Sequence, residues 1–206
     1  MKVLLLNGSP KMNGNTSLML QEMINVFEEE GIETELIQVG NLDVRSCIAC
    51  NSCGKLGKCV FDDIVNEVAE KFESADGFVV GTPVYYAGAN PTVMALLTRL
   101  FYSGHFDKRM KVGASVAVAR RSGLLTTIDE INKFFTISGM PVASSQYWTG
   151  AHGMDPGEVK EDGEGLQIMR TLARNMSFLI KSIALGKEKY GLPEKEAKRE
   201  GTNFVR

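Results

Sequence analysis

The sequence predicts an α/β fold, a parallel sheet with helices on both faces. Three observations carry this. Short aliphatic or β-branched runs alternate with longer runs of helical period. No hairpin signal joins one short run to the next, so each return crosses over through a helix. The run Gly77–Thr82 is continuous in apolar character, as a strand covered on both faces should be. With 206 residues, 44% of them hydrophobic, the chain is expected to form one domain whose core needs no disulfide staples.

The elements follow in order. Val3–Leu6 is the first strand. Ser17 to Glu30 is a helix with Leu18, Leu20, Met23, Ile24 and Phe27 on its apolar face, closed by Gly31. Thr34–Val39 is the second strand, and an irregular cysteine-bearing loop follows. Asp62 or Asp63 caps a helix to about Ser74, with Ile64, Val65, Val68, Ala69 and Phe72 inward. Gly77–Thr82 is the third strand, and Pro91 opens a helix to Tyr102. Lys111–Ala119 is the fourth strand and Leu124–Ser138 the fourth helix. Pro141–Ser145 is a short fifth strand, before a glycine-rich stretch and a last helix from Leu166 to Leu185. Residues 1–186 form the domain and 187–206 a charged tail.

A net charge of −2 and the lack of a basic block argue against nucleic acid or an anionic membrane as partner. The Val3–Leu6 run is too short for a signal core or a spanning helix, so a cytoplasmic, reducing location is expected.

Ligands of open parallel sheets bind beyond the carboxyl ends of the strands. The first such loop, Asn7 to Ser17, combines two glycines, hydroxyls, amides and a lysine, and it enters a helix. Backbone N–H groups and the helix start would hold a phosphate there, with Ser9, Lys11, Asn15, Thr16 and Ser17 as further donors. It matches neither the P-loop nor the dinucleotide fingerprint, and a plain strand-to-helix turn is the alternative. The third loop, Thr82-Pro83-Val84-Tyr85-Tyr86, places two tyrosines where a solvated turn needs none, which suits a flat aromatic ligand; the alternative is one tyrosine in the core and the other at the surface. Arg121, Ser122 and Gly123 could add donors from the fourth loop.

All four cysteines, Cys47, Cys50, Cys53 and Cys59, lie in one C-x2-C-x2-C-x5-C run. Three occupants are open: a [4Fe–4S] cluster, a zinc ion, or no metal and redox-active thiols. Zinc sites with four cysteines usually split two C-x2-C knuckles across a long loop, which is missing here. No acid–base catalyst is apparent, because His105 and His152 lack partners at metal-ligand or catalytic spacing.

Together, Gly8-Ser9-Pro10-Lys11 with Asn15-Thr16-Ser17, the cysteine run with Val60-Phe61-Asp62-Asp63, and Thr82-Pro83-Val84-Tyr85-Tyr86 resemble the flavodoxin-like NADPH-dependent FMN reductases, in particular their iron–sulfur flavoprotein branch. The resemblance extends from Met1 to about Ile183. It implies a three-layer sandwich around a five-stranded parallel sheet of order 2-1-3-4-5. It implies FMN with its phosphate at Ser9, Lys11, Asn15, Thr16 and Ser17 and its ring against Pro83, Val84, Tyr85 and Tyr86, with Arg121, Ser122 and Gly123 near the ring. It further implies NAD(P)H as co-substrate, Cys47, Cys50, Cys53 and Cys59 as cluster ligands, a small-molecule or ferredoxin-type redox partner, and a homodimer or homotetramer. The alternative is a non-enzymatic electron carrier or redox sensor with free cysteines.

Overall fold

Alternation inside the first strand sets the layers. Val3 and Leu5 join the core on one face of the sheet, while Leu4 and Leu6 join the core on the other. The same division recurs at Val79 against Phe78 and Val80. The computed structural model describes residues 1–198, 200–202 and 204. Its strands are β1 (Lys2–Asn7), β2 (Glu33–Gln38), β3 (Gly77–Tyr85), β4 (Gly88–Ala89), β5 (Val112–Ala119) and β6 (Gly150–His152). Its helices are α1 (Asn15–Glu29), α2 (Cys53–Leu56), α3 (Ile64–Ser74), α4 (Pro91–Ser103), α5 (Leu124–Ile137) and α6 (Gly163–Tyr190), with a 3-10 turn at Glu158–Glu161.

The parallel order is β2-β1-β3-β5-β6, with β4 paired antiparallel to the end of β3. Counting parallel strands only, this is the 2-1-3-4-5 arrangement. Met19, Leu20, Met23 and Phe27 of α1 pack with Met169, Leu172 and Met176 of α6 on one face. Phe72 of α3, Leu96 and Leu100 of α4, and Phe135 of α5 cover the other. There Phe72 stacks on Phe78 at 4.3 Å between ring centroids. Gly113 has no side chain because the Phe135 ring lies where a Cβ would stand, 2.6 Å from it.

Three expectations are corrected. Pro141–Ser145 forms no strand of its own: Val142 makes a single bridge to Gly113, and the fifth parallel position passes to β6. A hairpin also exists where no turn signal was seen. Tyr86 and Ala87 form the two-residue turn between β3 and β4 with φ of 51° and 61°. That geometry normally selects glycine or asparagine, so its residues carried no signal. The last helix also begins earlier and ends later than expected, running through the predicted boundary at 186 to Tyr190. Beyond it, Arg109 donates to the Pro193 carbonyl at 2.8 Å, and Lys195 pairs with Asp107 at 3.1 Å. The predicted 187–206 tail lies partly outside the described residues.

The carboxyl ends of β1, β2 and β3 converge on Asn90, 5% exposed. Its carboxamide N–H groups donate to the Gly8 carbonyl at 2.7 Å and the Gly40 carbonyl at 3.4 Å. Its side-chain oxygen caps α4 by accepting from the Thr92 N–H at 3.0 Å. Its backbone N–H donates to the Thr82 hydroxyl at 3.1 Å. Backbones approach so closely here that a Cβ on Gly40 would stand 2.2 Å from the Gly8 oxygen. Asn90→Ala removes the cap and orphans a buried carbonyl. A loss of about 2–4 kcal/mol is expected from those two effects together, read as a lower urea midpoint at unchanged slope.

Candidate functional site

The turn after β1 satisfies its own polar groups and leaves the helix start open. Asn7 accepts from the Ser9 N–H at 3.0 Å and donates to Gln38 at 2.7 Å. Gln38 in turn donates to the Ser9 carbonyl. The Ser9 hydroxyl accepts from the Lys11 N–H at 3.1 Å. Gly14 is the N-cap of α1, so no side chain caps the helix, and its first turn carries no acidic residue. The first-turn N–H groups at Asn15, Thr16 and Ser17 have no partner within the helix, and the helix dipole adds partial positive charge. Such a helix start accepts an anion, and exposed Lys11 stands beside it.

The β3–β4 hairpin stands across from this turn. Its base is tied to α5 by Glu130, which accepts from the Ala89 N–H at 3.1 Å. Gly123, at φ of 93°, packs so tightly on it that a Cβ there would stand 2.8 Å from both Ala87 and Val84. Between the two lies a cleft of about 160 Å³ lined by Ser9, Lys11, Asn15, Thr16, Pro83 and Tyr85. Six of the twelve predicted cofactor residues therefore share one wall-to-wall space. Ser17 is half-buried one position further along α1, and Val84 packs under the hairpin. Tyr86 is fully exposed at the tip. Arg121 and Ser122 are exposed outside the cleft, and Gly123 serves the hairpin.

The remaining wall was missed in the sequence. Val118, Gly153, Met154 and Pro156 complete the cleft. Asn15 fastens this lip: its carboxamide donates to the Asp155 carbonyl at 3.0 Å and accepts from the Gly157 N–H at 2.8 Å. Its side chain is thus engaged by the protein, and what it leaves to the cleft is its backbone N–H. The signal lay in the glycine- and proline-bearing run from Gly153 to Gly157, which follows β6, but a strand expected at Pro141–Ser145 draws attention away from it.

The cysteines occupy a separate place, beside α4. Cys47, Cys50, Cys53 and Cys59 line one small cavity together with Ile48, Phe61, Arg99 and Tyr102. Cys47 and Cys50 are exposed, Cys53 is buried and Cys59 is half-buried. Ala49 and Asn51 bend the loop with φ of 53° and 57°. Tyr102 donates to Asn51 at 2.9 Å, and the His105 ring meets the Cys53 carbonyl at 3.1 Å. Hydrogen bonds from the Ser52 side chain and backbone pull the Cys50 thiol below its ordinary value. Asp63 caps α3 as expected, accepting from the Val65 N–H at 3.1 Å. Among the described residues no three His, Cys, Asp or Glu side chains are placed to grip a single ion. The four thiols surround a shared space without meeting at a point. Four thiolates on one cavity are a donor set that an iron–sulfur cluster or a zinc ion can take.

Asn15→Ala frees the 153–159 lip without touching the core. Amide exchange at Gly157 is expected to rise by about tenfold, the value of one or two hydrogen bonds. Mass-spectrometric hydrogen exchange on the variant checks it, with amides of β1 as an unchanged control.

Comparison with known proteins agrees with this geometry. The sequence profile of the NADPH-dependent FMN reductase family matches residues 1–155. An iron–sulfur flavoprotein of Methanocaldococcus jannaschii is 38% identical over 192 residues, covering 89% of this chain and 99% of that protein. An iron–sulfur flavoprotein of Methanosarcina thermophila is 31% identical over 193 residues, covering 92% and 100%. Among solved structures, the NAD(P)H:quinone oxidoreductase of Methanothermobacter marburgensis shares the fold with a TM-score of 0.65 at 16% identity, covering 85% of this chain and 96% of that one. An archaeal flavodoxin does so with a TM-score of 0.58 at 16% identity, covering 88% and 99%. No helix among the described residues is long and apolar enough to cross a membrane. The chain belongs to the NADPH-dependent FMN reductase family of flavin oxidoreductases, in the branch of the iron–sulfur flavoproteins.

Proposed function

We propose that this protein moves electrons from NAD(P)H through FMN, and that its four cysteines hold a [4Fe–4S] cluster. The observation that supports the reading most is the cleft that brings an uncapped helix start together with Pro83 and Tyr85. FMN has a dianionic phosphate at one end and a flat ring at the other, and the cleft offers a partner for each. When bound, FMN supplies the chemistry of accepting a hydride and releasing electrons singly.

The chain's own work is to bind and orient. The N–H groups of Asn15, Thr16 and Ser17, with Lys11 and the Ser9 turn, hold the phosphate. Pro83 and Tyr85 give the ring a bed, with Val84 packed beneath the hairpin. The hairpin keeps that bed rigid through Glu130 and Gly123. Tyr86, Arg121 and Ser122 are exposed and would be free to meet a substrate or the nicotinamide. No proton-transfer residue is assigned. Cys47, Cys50, Cys53 and Cys59 are the cluster ligands, and a cluster there supplies one-electron chemistry. The acceptor is a small molecule or a ferredoxin-type protein, and the working unit is a homodimer or homotetramer in a reducing cytoplasm.

Purification without oxygen, followed by an absorbance spectrum and iron, sulfide and zinc analysis, tests this. One FMN with about four irons and four sulfides per chain is expected. Flavin without iron overturns the cluster, one zinc replaces it with the structural-metal alternative, and a colourless protein overturns the whole reading. Rapid NAD(P)H oxidation with a small acceptor supports the enzyme, whereas reduction only by a partner protein supports the carrier.

A further inference from the structure

Arg99 is the bulkiest fully buried side chain among the described residues, 1% exposed, on a helix whose other buried residues are apolar apart from Ser103. A guanidinium in such a place is costly unless its donors are used. All five N–H groups have partners. Nη1 donates to Asp63 Oδ2 at 2.7 Å and to the Arg45 carbonyl at 3.3 Å. Nη2 donates to Asp63 Oδ1 at 2.9 Å and to Cys59 Sγ at 3.2 Å. Nε donates to Cys59 Sγ at 3.3 Å. The fork to Asp63 accounts for a structural role. Two charged donors aimed at one sulfur need another reason, because a neutral thiol is a weak acceptor and a thiolate or metal-bound sulfur a strong one.

The backbone of Cys59 is fixed as well. The Asn66 carboxamide accepts from the Cys59 N–H at 3.0 Å and donates to the Cys59 carbonyl at 3.1 Å. It also holds the Phe61 carbonyl at 3.0 Å. Cys59 is therefore set before anything binds, while Cys47 and Cys50 sit exposed on a stretch without regular structure.

We propose that Arg99 is a positioning residue for the iron–sulfur centre, holding the Cys59 sulfur as the preset ligand and making the centre easier to reduce through two N–H···S hydrogen bonds. Hydrogen bonds to ligand sulfur are among the determinants of cluster potential, and they favour the reduced state because it carries more negative charge. Asp63 cancels the arginine charge at long range, so the effect is local to Cys59. The inference rests on the cluster reading above.

The test compares wild-type protein with Arg99→Gln and Arg99→Lys, each reconstituted anaerobically with iron and sulfide. FMN content reports folding, iron content reports ligation, and an EPR-monitored redox titration reports the cluster midpoint. Equal FMN in all three is expected, with the midpoint lowered in Arg99→Gln and partly restored in Arg99→Lys, which keeps one charged donor. Loss of iron from Arg99→Gln with FMN intact also supports the positioning role. If Arg99→Gln does not fold, the midpoint of Arg99→Lys decides alone. Full iron with one midpoint shared by all folded forms overturns the inference and leaves the cluster reading standing. A wild type that takes up no iron overturns both.

Discussion

The carboxamide of Asn90 holds together what the rest of the molecule uses. It reaches the Gly8 and Gly40 carbonyls, which follow β1 and β2, and the backbone N–H of Asn90 reaches the Thr82 hydroxyl in β3. These segments meet at Gly8, Gly40 and Gly81, where a Cβ would collide with a neighbouring chain or side chain. Glycine permits the approach, and Asn90 satisfies the carbonyls that the approach buries. The β1–β3 ladder, extended by the Gly8 N–H donating to the Gly81 carbonyl at 2.7 Å, sets the turn after β1 against β3, and Asn90 ties that turn to the start of α4.

The same helix serves both sites. Asn90 caps α4 beside the cleft, and Arg99 and Tyr102 of α4 reach the cysteine loop. Nine residues separate Asn90 from Arg99, a span of about 13 Å at the helical rise. Local strain marks both ends. Of the five non-glycine residues with positive φ among the described residues, Tyr86 and Ala87 form the hairpin tip and Ala49 and Asn51 shape the cysteine loop. Such conformations cost about 1–3 kcal/mol each and persist where the surroundings impose them.

What could be read in the sequence was what depends on local pattern. The central strands are apolar runs because both faces are covered, and they were placed within a few residues of their bounds. Pro91 and Asp63 announced helix starts because capping is local chemistry. The cysteine run and the hydroxyl-rich turn were visible as composition. What failed depended on distant partners. Tyr86-Ala87 turns a hairpin without turn residues because Glu130 and Gly123 hold it from α5. The strand at Gly150 is only three residues long, too short for periodicity to reveal, while Pro141–Ser145 offered a better apolar run. The side chain of Asn15 latches the 153–159 lip, a role that depends on residues 140 and 142 positions away. Arg99 carried no signal at all, since an arginine near the end of an amphipathic helix is ordinarily solvated.

The central claim is that the cleft between the β1 turn and the β3–β4 hairpin is the flavin seat. A crystal structure of the protein loaded with FMN measures it most directly. The account predicts the phosphate within hydrogen-bond distance of the N–H groups of Asn15, Thr16 and Ser17, with the ring against Pro83 and Tyr85. Flavin density at any other place on the molecule, with this cleft filled by solvent, would contradict it.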